Sequence, residues 1–558
     1  MQFVHTFQRL VIGVGTLAVL TNAVPVAAAP PESTAICSQP HDLDPWQLLR
    51  RLSLDLRGRL PAFEDYEKLT ATVNAATSAG KPIDTAALLA DLAANLAQGE
   101  EFALAMRRYH EGLFWPSLAG IPVDDPYQRL GGCGPAWCIN DVGRKGNWRK
   151  GGGQYVCGNW EQKDWDAKGL PIATMTGIDP ITGSPYQQEG WVLVEPYWAP
   201  GTQLKVCAFD AQAGPGLNGK CATVEGRSDP SCGCGPNLRH CSTSVVAADI
   251  VAALREQLLR SVDDVTAGGK PYSDLLLSYD VWTHGRLQFW KKWLTPTVGL
   301  QYGYNVQGQG DPALPAAPEY TDTDWQLAKR TGAHAGVLSM PAFSLRFQTN
   351  RARANRFRIL FSSQWFVPPE GKDLPQETGC DPNTDDLTQR CQCRGCHQVL
   401  EPLAARFGPI AEVGSTLMTD NTMFPKVNAA CWPMVKAPFS AAFCGRFYVL
   451  NKYAFNPGWL KTWQYATMDD PLHQSIQQGL EQGPRGLAQQ VVDDGQFYNS
   501  SVRNLWQFLM GRDMVLEADD PHSELALLFE LSGQFSKHND FRKLVLALVQ
   551  LPHYRRVR

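Results

Sequence analysis

The sequence predicts a mainly α protein made of several helical modules and one Cys/Gly-rich irregular insertion with short strands. Three observations carry that expectation. Apolar residues recur at helical spacing on either side of the insertion, as in Leu48, Leu49, Leu52 and Leu56 and again in Val246, Ile250, Leu254, Leu258, Val262 and Val265. Between residues 119 and 241 that periodicity dissolves into Gly, Pro, Trp and Cys. At 558 residues, 44% hydrophobic and 19% charged, the chain is long enough for about three or four domain-sized cores.

The elements follow in order. Met1 to Arg9 is short and weakly basic, Leu10 to Leu20 is almost wholly apolar, and Ala27, Ala28 and Ala29 are small, the pattern of an export signal over residues 1–28. Cleavage after Ala28 puts Val26 and Ala28 at the two recognised positions and keeps Pro30 off the first mature position. An apolar run of about eleven residues is too short to span roughly 30 Å of hydrocarbon, and no later segment is long and apolar enough to do so. The expected location is therefore the periplasm, the cell surface or the medium, with no transmembrane segment after cleavage. Fifteen cysteines agree with an oxidising compartment where disulfides persist.

Residues 29–118 read as an N-terminal helical module. Asp44 and Pro45 make a helix start, Gly58 with Pro61 a stop, and Leu88, Leu89, Leu92 and Leu96 mark a further helix. The insertion, 119–241, carries Cys133, Cys138, Cys157, Cys207, Cys221, Cys232, Cys234 and Cys241 and is expected to be stapled by disulfides. Cys232, Cys234, His240 and Cys241 are possible metal ligands, with disulfides the preferred reading in an exported chain. Arg144, Lys145, Arg149 and Lys150 around Trp148 read as an exposed loop rather than a site for an anionic polymer. A central helical module, 242–370, includes a helical run through Leu338, Leu345 and Phe357 that leads into Pro368 and Pro369. Within it Arg351, Arg353, Arg356 and Arg358 read as a solvated helix face, the alternative being pairing with acidic groups of a cofactor. The last module, 451–558, closes with helices from Val502 to Met510 before Gly511 and from Phe541 to Leu551 before Pro552.

The sharpest chemical signal lies between those modules. Cys393, Arg394, Gly395, Cys396 and His397 form C-x-x-C-H, the attachment pattern of c-type haem, in a module spanning 371–450 that is expected to be cytochrome c-like. Two thiols one helical turn apart suit the two haem vinyl groups, and the next imidazole then lies under the iron as axial ligand. From the Cys and His frequencies the chance count of such a pattern is on the order of 0.01. The competing readings are a redox dithiol, a disulfide, or a metal site shared with Cys391, although no second ligand pair stands at zinc-finger spacing. One covalent haem leaves thirteen cysteines (15 − 2), an odd number, so at least one is free, intermolecular or modified, with Cys37 a candidate. Met434, Met423 and His473 are the candidate sixth ligands, with Met418 also at a plausible distance; a Met would give a high-potential carrier and His473 a low-potential one.

Other chemistries find no support in the sequence. There is no G-x-S-x-G elbow, no H-E-x-x-H pair and no phosphate-binding loop, and His110-Glu111 lacks the second His of a zinc protease. A net charge of −4 gives no sign of a nucleic-acid partner.

Motifs across most of the chain, at Arg50 to Gly58, Tyr109-His110, Pro271 to Leu276, Cys393 to His397 and Leu505 to Arg512, resemble a family of large secreted proteins of unknown function, the planctomycete- and myxobacterial-type cytochromes c. Arg50 to Gly58 followed by Leu60-Pro61 resembles its opening helix, and Tyr109-His110 with Leu113-Phe114-Trp115 its next landmark. Pro271 to Leu276 is similar to its central segment, while Gly336-Val337-Leu338 and Arg351 to Arg358 precede the haem pattern as they do there. Cys393 to His397 with Glu401-Pro402-Leu403 resembles the haem block, and Leu505 to Arg512 with Tyr554-Arg555-Arg556 the closing module. The resemblance implies a haem and export but no reaction. One-electron transfer to a redox partner protein is the first expectation. A haem enzyme with an open sixth iron position, peroxidase- or oxygenase-like, is the second. A structural protein that binds an envelope polymer or partner, with haem secondary, is the third.

Overall fold

The computed structural model describes residues 41–124, 160–167, 189–208, 233–294, 318–330, 332–364, 378–384, 386–410 and 471–557, together with short stretches between 130 and 211 and Glu412. The export signal, Cys37, the basic loop around Trp148, Pro368 and Pro369 lie outside them.

The first helix forms where the capping chemistry puts it. In α1 (Pro45–Arg57) the Asp44 carboxylate accepts from the Gln47 amide at 2.8 Å, and the Gln47 side chain accepts from the Asp44 amide at 3.1 Å. Gly58, at φ +68°, ends the helix in the left-handed region. Leu48, Leu49, Leu52 and Leu56 turn inward against α2 (Phe63–Ser78), α3 (Thr85–Leu96) and α4 (Gly99–Phe114).

Beyond the insertion, α5 (Ser244–Thr266) begins at Thr243, whose hydroxyl accepts from the Val246 amide at 3.2 Å. Its whole predicted stripe from Val246 to Val265 is buried. The short helix α6 (Asp274–Leu277) leads into β7 (Asp280–Thr283), which is followed by α7 (Gly285–Phe289); β7 pairs antiparallel with β8 (Gln326–Lys329), Asp280 facing Lys329, and packs against α5.

The insertion does contain short strands. β5 (Trp191–Val194) runs antiparallel to β6 (Leu204–Cys207), β2 (Trp137–Cys138) adds parallel to β6, and β3 (Met175–Ile178) with β4 (Pro185–Gln188) forms a separate antiparallel pair. Leu204, Val206 and Leu238 make its small core beside the Cys234–Cys241 disulfide. That bond engages two of the possible metal ligands, as the disulfide reading expects.

One hydrophobic core draws on the N-terminal, central, haem-motif and C-terminal segments together. Leu52, Met106, Leu258, Phe343, Phe357, Phe407, Phe497, Phe535 and Phe541 all belong to it. Burial of each such side chain contributes about 1.5–3 kcal/mol. The C-terminal part supplies α11 (Pro471–Asp493), α12 (Gln496–Met510), α13 (Leu525–His538), α14 (Phe541–Val549) and α15 (Pro552–Arg555). The two ends of the described chain meet: β1 (His41–Asp42) pairs antiparallel with β9 (Arg556–Val557), and Arg51 donates to the carbonyls of Tyr554 and Leu509, each at 2.8 Å.

Three expectations need correction. The helical run through Leu338, Leu345 and Phe357 is broken into a short turn (Gly336–Ser339), α8 (Pro341–Arg346) and α9 (Asn350–Phe361). Pro341 has no amide to continue a helix. Gly336 sits at φ +39° with its missing Cβ position 2.0 Å from the Leu275 carbonyl oxygen, so the backbones approach closely there. The helix expected from Val502 starts earlier, at Gln496 after the left-handed Gly495, and the one expected to reach Leu551 stops at Val549 before Pro552 opens α15. The arginine run is a solvated face only in part: Arg351 and Arg358 stay partly exposed, while Arg353 and Arg356 are buried and donate to carbonyls of other elements.

Candidate functional site

The C-x-x-C-H motif opens a helix, α10 (Arg394–Arg406), with Cys393 at its N-cap. The Cys393 carbonyl accepts from the Cys396 amide at 3.2 Å and the His397 amide at 3.0 Å, which places both thiols and the imidazole on the first turn. The preceding loop is knit by the Cys380–Cys391 disulfide. Asp386 adds to it, accepting from the Thr388 amide at 2.8 Å and hydroxyl at 2.6 Å. Cys391 is therefore engaged, and it is not available as a shared metal ligand. Cys393 and Cys396, two and five residues further on, keep free, half-exposed thiols.

His397 is held from one side. Its Nδ1 lies 2.6 Å from Glu401 Oε1, one turn along α10, and Arg351 Nε of α9 reaches the same oxygen at 2.6 Å. Glu401 is buried, with a relative exposure of 8%. Burial alone would push its carboxyl up, but the hydrogen bonds and charges of His397 and Arg351 outweigh that and hold it below the ordinary carboxylate value. An ionised carboxylate only accepts, so Nδ1 carries the hydrogen. In the neutral ring Nε2 is then the bare nitrogen, and it has no partner among the described residues.

The helices around the motif set its position. α10 packs between α9 and α11. Arg353, fully buried, donates to the Ile410 carbonyl at 3.0 Å, the Ser344 carbonyl at 3.0 Å and the Asn350 side chain at 2.9 Å, tying α9 to the end of α10. Burial pulls its guanidinium down to about 10. Arg356 donates to the Leu113 carbonyl and lies 4.0 Å over the Trp115 ring. Gly479 of α11 lets that helix approach closely, since a Cβ there would stand 3.1 Å from the Pro402 carbonyl oxygen.

The donor set suits a covalently attached haem: two free thiols on one helical turn, and an imidazole whose far nitrogen has no hydrogen-bond partner among the described residues. Among the described residues no group of three or more His, Cys, Asp and Glu side chains converges as a metal site. Met418, Met423 and Met434 lie outside the described residues, and His473 stands in the first turn of α11 with its side chain outside them. Glu401 and Arg351 are the partners that spacing alone leaves without a role. The available signal was the i,i+4 step from His397 to Glu401 on one helix face. No signal near Arg351 points to that pair. No described helix is long and apolar enough to cross a membrane. Neither a family model, nor a curated protein, nor a solved structure matches this chain, and the site stands on its own geometry.

Proposed function

We propose that the chain is an exported c-type haem protein that passes single electrons in the cell envelope. Cys393 and Cys396 would form the thioether links and His397 would ligate the iron. The observation that carries the reading is the state of the first turn of α10: both thiols free beside an intact disulfide, and His397 held through Nδ1 by Glu401, which leaves Nε2 as the nitrogen that could meet a ligand. The two disulfides among the described residues and the apolar leader support export.

Each residue has a defined task. The Cys393 and Cys396 thiols would each add across a vinyl group of the haem, the thiol hydrogen going to the neighbouring vinyl carbon, which needs no oxidant. Glu401 keeps the His397 ring oriented, and α9 and α11 fix α10 against the common core. The bound haem supplies a one-electron iron couple whose potential is set by the axial ligands, nearby hydrogen bonds and burial. Up to its kink at Gly483, α11 runs beside α10 in the same direction, Gly479 next to Pro402 and Gly483 next to Pro409. Its first turn, with His473, therefore lies toward the Cys396–His397 end, which supports His473 as a sixth-ligand candidate alongside Met423 and Met434.

The test is a pyridine haemochrome spectrum on the full chain produced in a host with c-type maturation, beside a Cys393→Ala, Cys396→Ala control. A c-type band that disappears in the control is expected. A wild-type chain without covalent haem overturns the reading. Carbon monoxide then separates carrier from enzyme: an unchanged reduced spectrum fits a six-coordinate electron carrier, and a shifted one fits an open sixth position.

A further inference from the structure

Within the haem reading, on which this inference rests, we propose that Glu401, held in place by Arg351, is the positioning residue that fixes His397 for axial ligation and biases the iron toward its ferric state. The warrant is geometric. Glu401 Oε1 accepts from His397 Nδ1 and from Arg351 Nε, each at 2.6 Å, so one oxygen is fixed by two elements, its own helix and α9. The carboxylate is buried, and a charge-assisted bond in such surroundings is short and strong. A carboxylate on the second nitrogen of a ligating histidine fixes the ring and raises its basicity. The ferric state carries one more positive charge than the ferrous, so the negative carboxylate favours it and the Arg351 guanidinium opposes it.

A plain helix-stabilising role for the His397–Glu401 pair predicts no effect on the iron. The two readings therefore separate by sign. In the full-length, matured protein, Glu401→Gln keeps an acceptor oxygen and removes the charge; it is expected to shift the ferric–ferrous balance about tenfold toward ferrous, a rise of about 59 mV for a one-electron couple. Arg351→Gln is expected to move the potential the opposite way. The Arg351 side chain is 43% exposed, and this variant decides by sign if Glu401→Gln does not fold. Haem content is measured first on each protein. Haem in the wild type with both variants inside a twofold change, about 18 mV, or with both moving the same way, overturns the positioning role and leaves the haem reading standing. No covalent haem in the wild type overturns both.

Discussion

Replacing His110 with glutamine should remove a large part of the acid sensitivity of the fold. His110 is fully buried in α4, its Nδ1 facing the Met106 carbonyl at 2.7 Å and its Nε2 facing the Tyr272 hydroxyl at 2.9 Å. A carbonyl only accepts, so Nδ1 carries the hydrogen and Nε2 accepts from Tyr272. The rings of Tyr109 and Phe541 surround it, with centroids at 4.8 and 5.0 Å. Burial lowers its pKa from 6.5 to about 4, against a smaller upward pull from the Met106 hydrogen bond. The folded value lies below the unfolded one, so the unfolded chain takes the proton first. The stabilising contribution is complete above the unfolded value and is lost as pH falls from 6.5 toward 4. Between about pH 7.5 and about pH 4.5 that loss is about 2.5 kcal/mol. Urea unfolding followed by tryptophan fluorescence at both pH values, on wild type and His110→Gln, measures it. Carboxylates titrate in both proteins, as does His240, which burial also lowers to about 4, and they cancel in the comparison. Glutamine should cost about 1 kcal/mol at the higher pH and fall less steeply by about 2.5 kcal/mol. Equal falls in the two proteins would refute the reasoning.

Two further substitutions test the packing around the site. Gly336→Ala sets a Cβ 2.0 Å from the Leu275 carbonyl oxygen at a φ of +39°, and it should cost about 3 kcal/mol or more, read as a lowered thermal midpoint. Arg353→Met leaves the Ile410 and Ser344 carbonyls and the Asn350 side chain without their buried donor. It should cost about 3 kcal/mol, read as a lowered thermal midpoint.

Much of the helical frame is legible locally. Asp44, Pro45 and Gly58 delimit α1 as written, and the stripe from Val246 to Val265 buries as its spacing requires. These features depend on neighbours within a few residues. The arginine run shows the opposite case. Arg353 and Arg356 bury because carbonyls of Ser344, Ile410 and Leu113 reach them, and the most distant of these lies 243 residues away in sequence. The breaks at Gly336 and Pro341 follow from a backbone contact with Leu275 and a missing amide, neither of which interrupts the apolar stripe. At the motif, the thiols and His397 were plain from spacing. The Cys380–Cys391 bond needed a folded loop, and the Arg351–Glu401 contact needed two helices side by side.

The pairing of β1 with β9 has a kinetic consequence. Arg51 reaches the Tyr554 carbonyl across 503 positions, and Tyr554 returns a hydrogen bond to Asp55 at 2.6 Å. Contacts of such high sequence separation form late, because loop closure must precede them. The leucine face of α1 closes early, on the neighbouring helices α2, α3 and α4, while its Arg51 and Asp55 edge waits for the last residues to be made. A chain cut short before Tyr554 therefore keeps its packed first helices and loses the clasp that ties them to the C-terminal end.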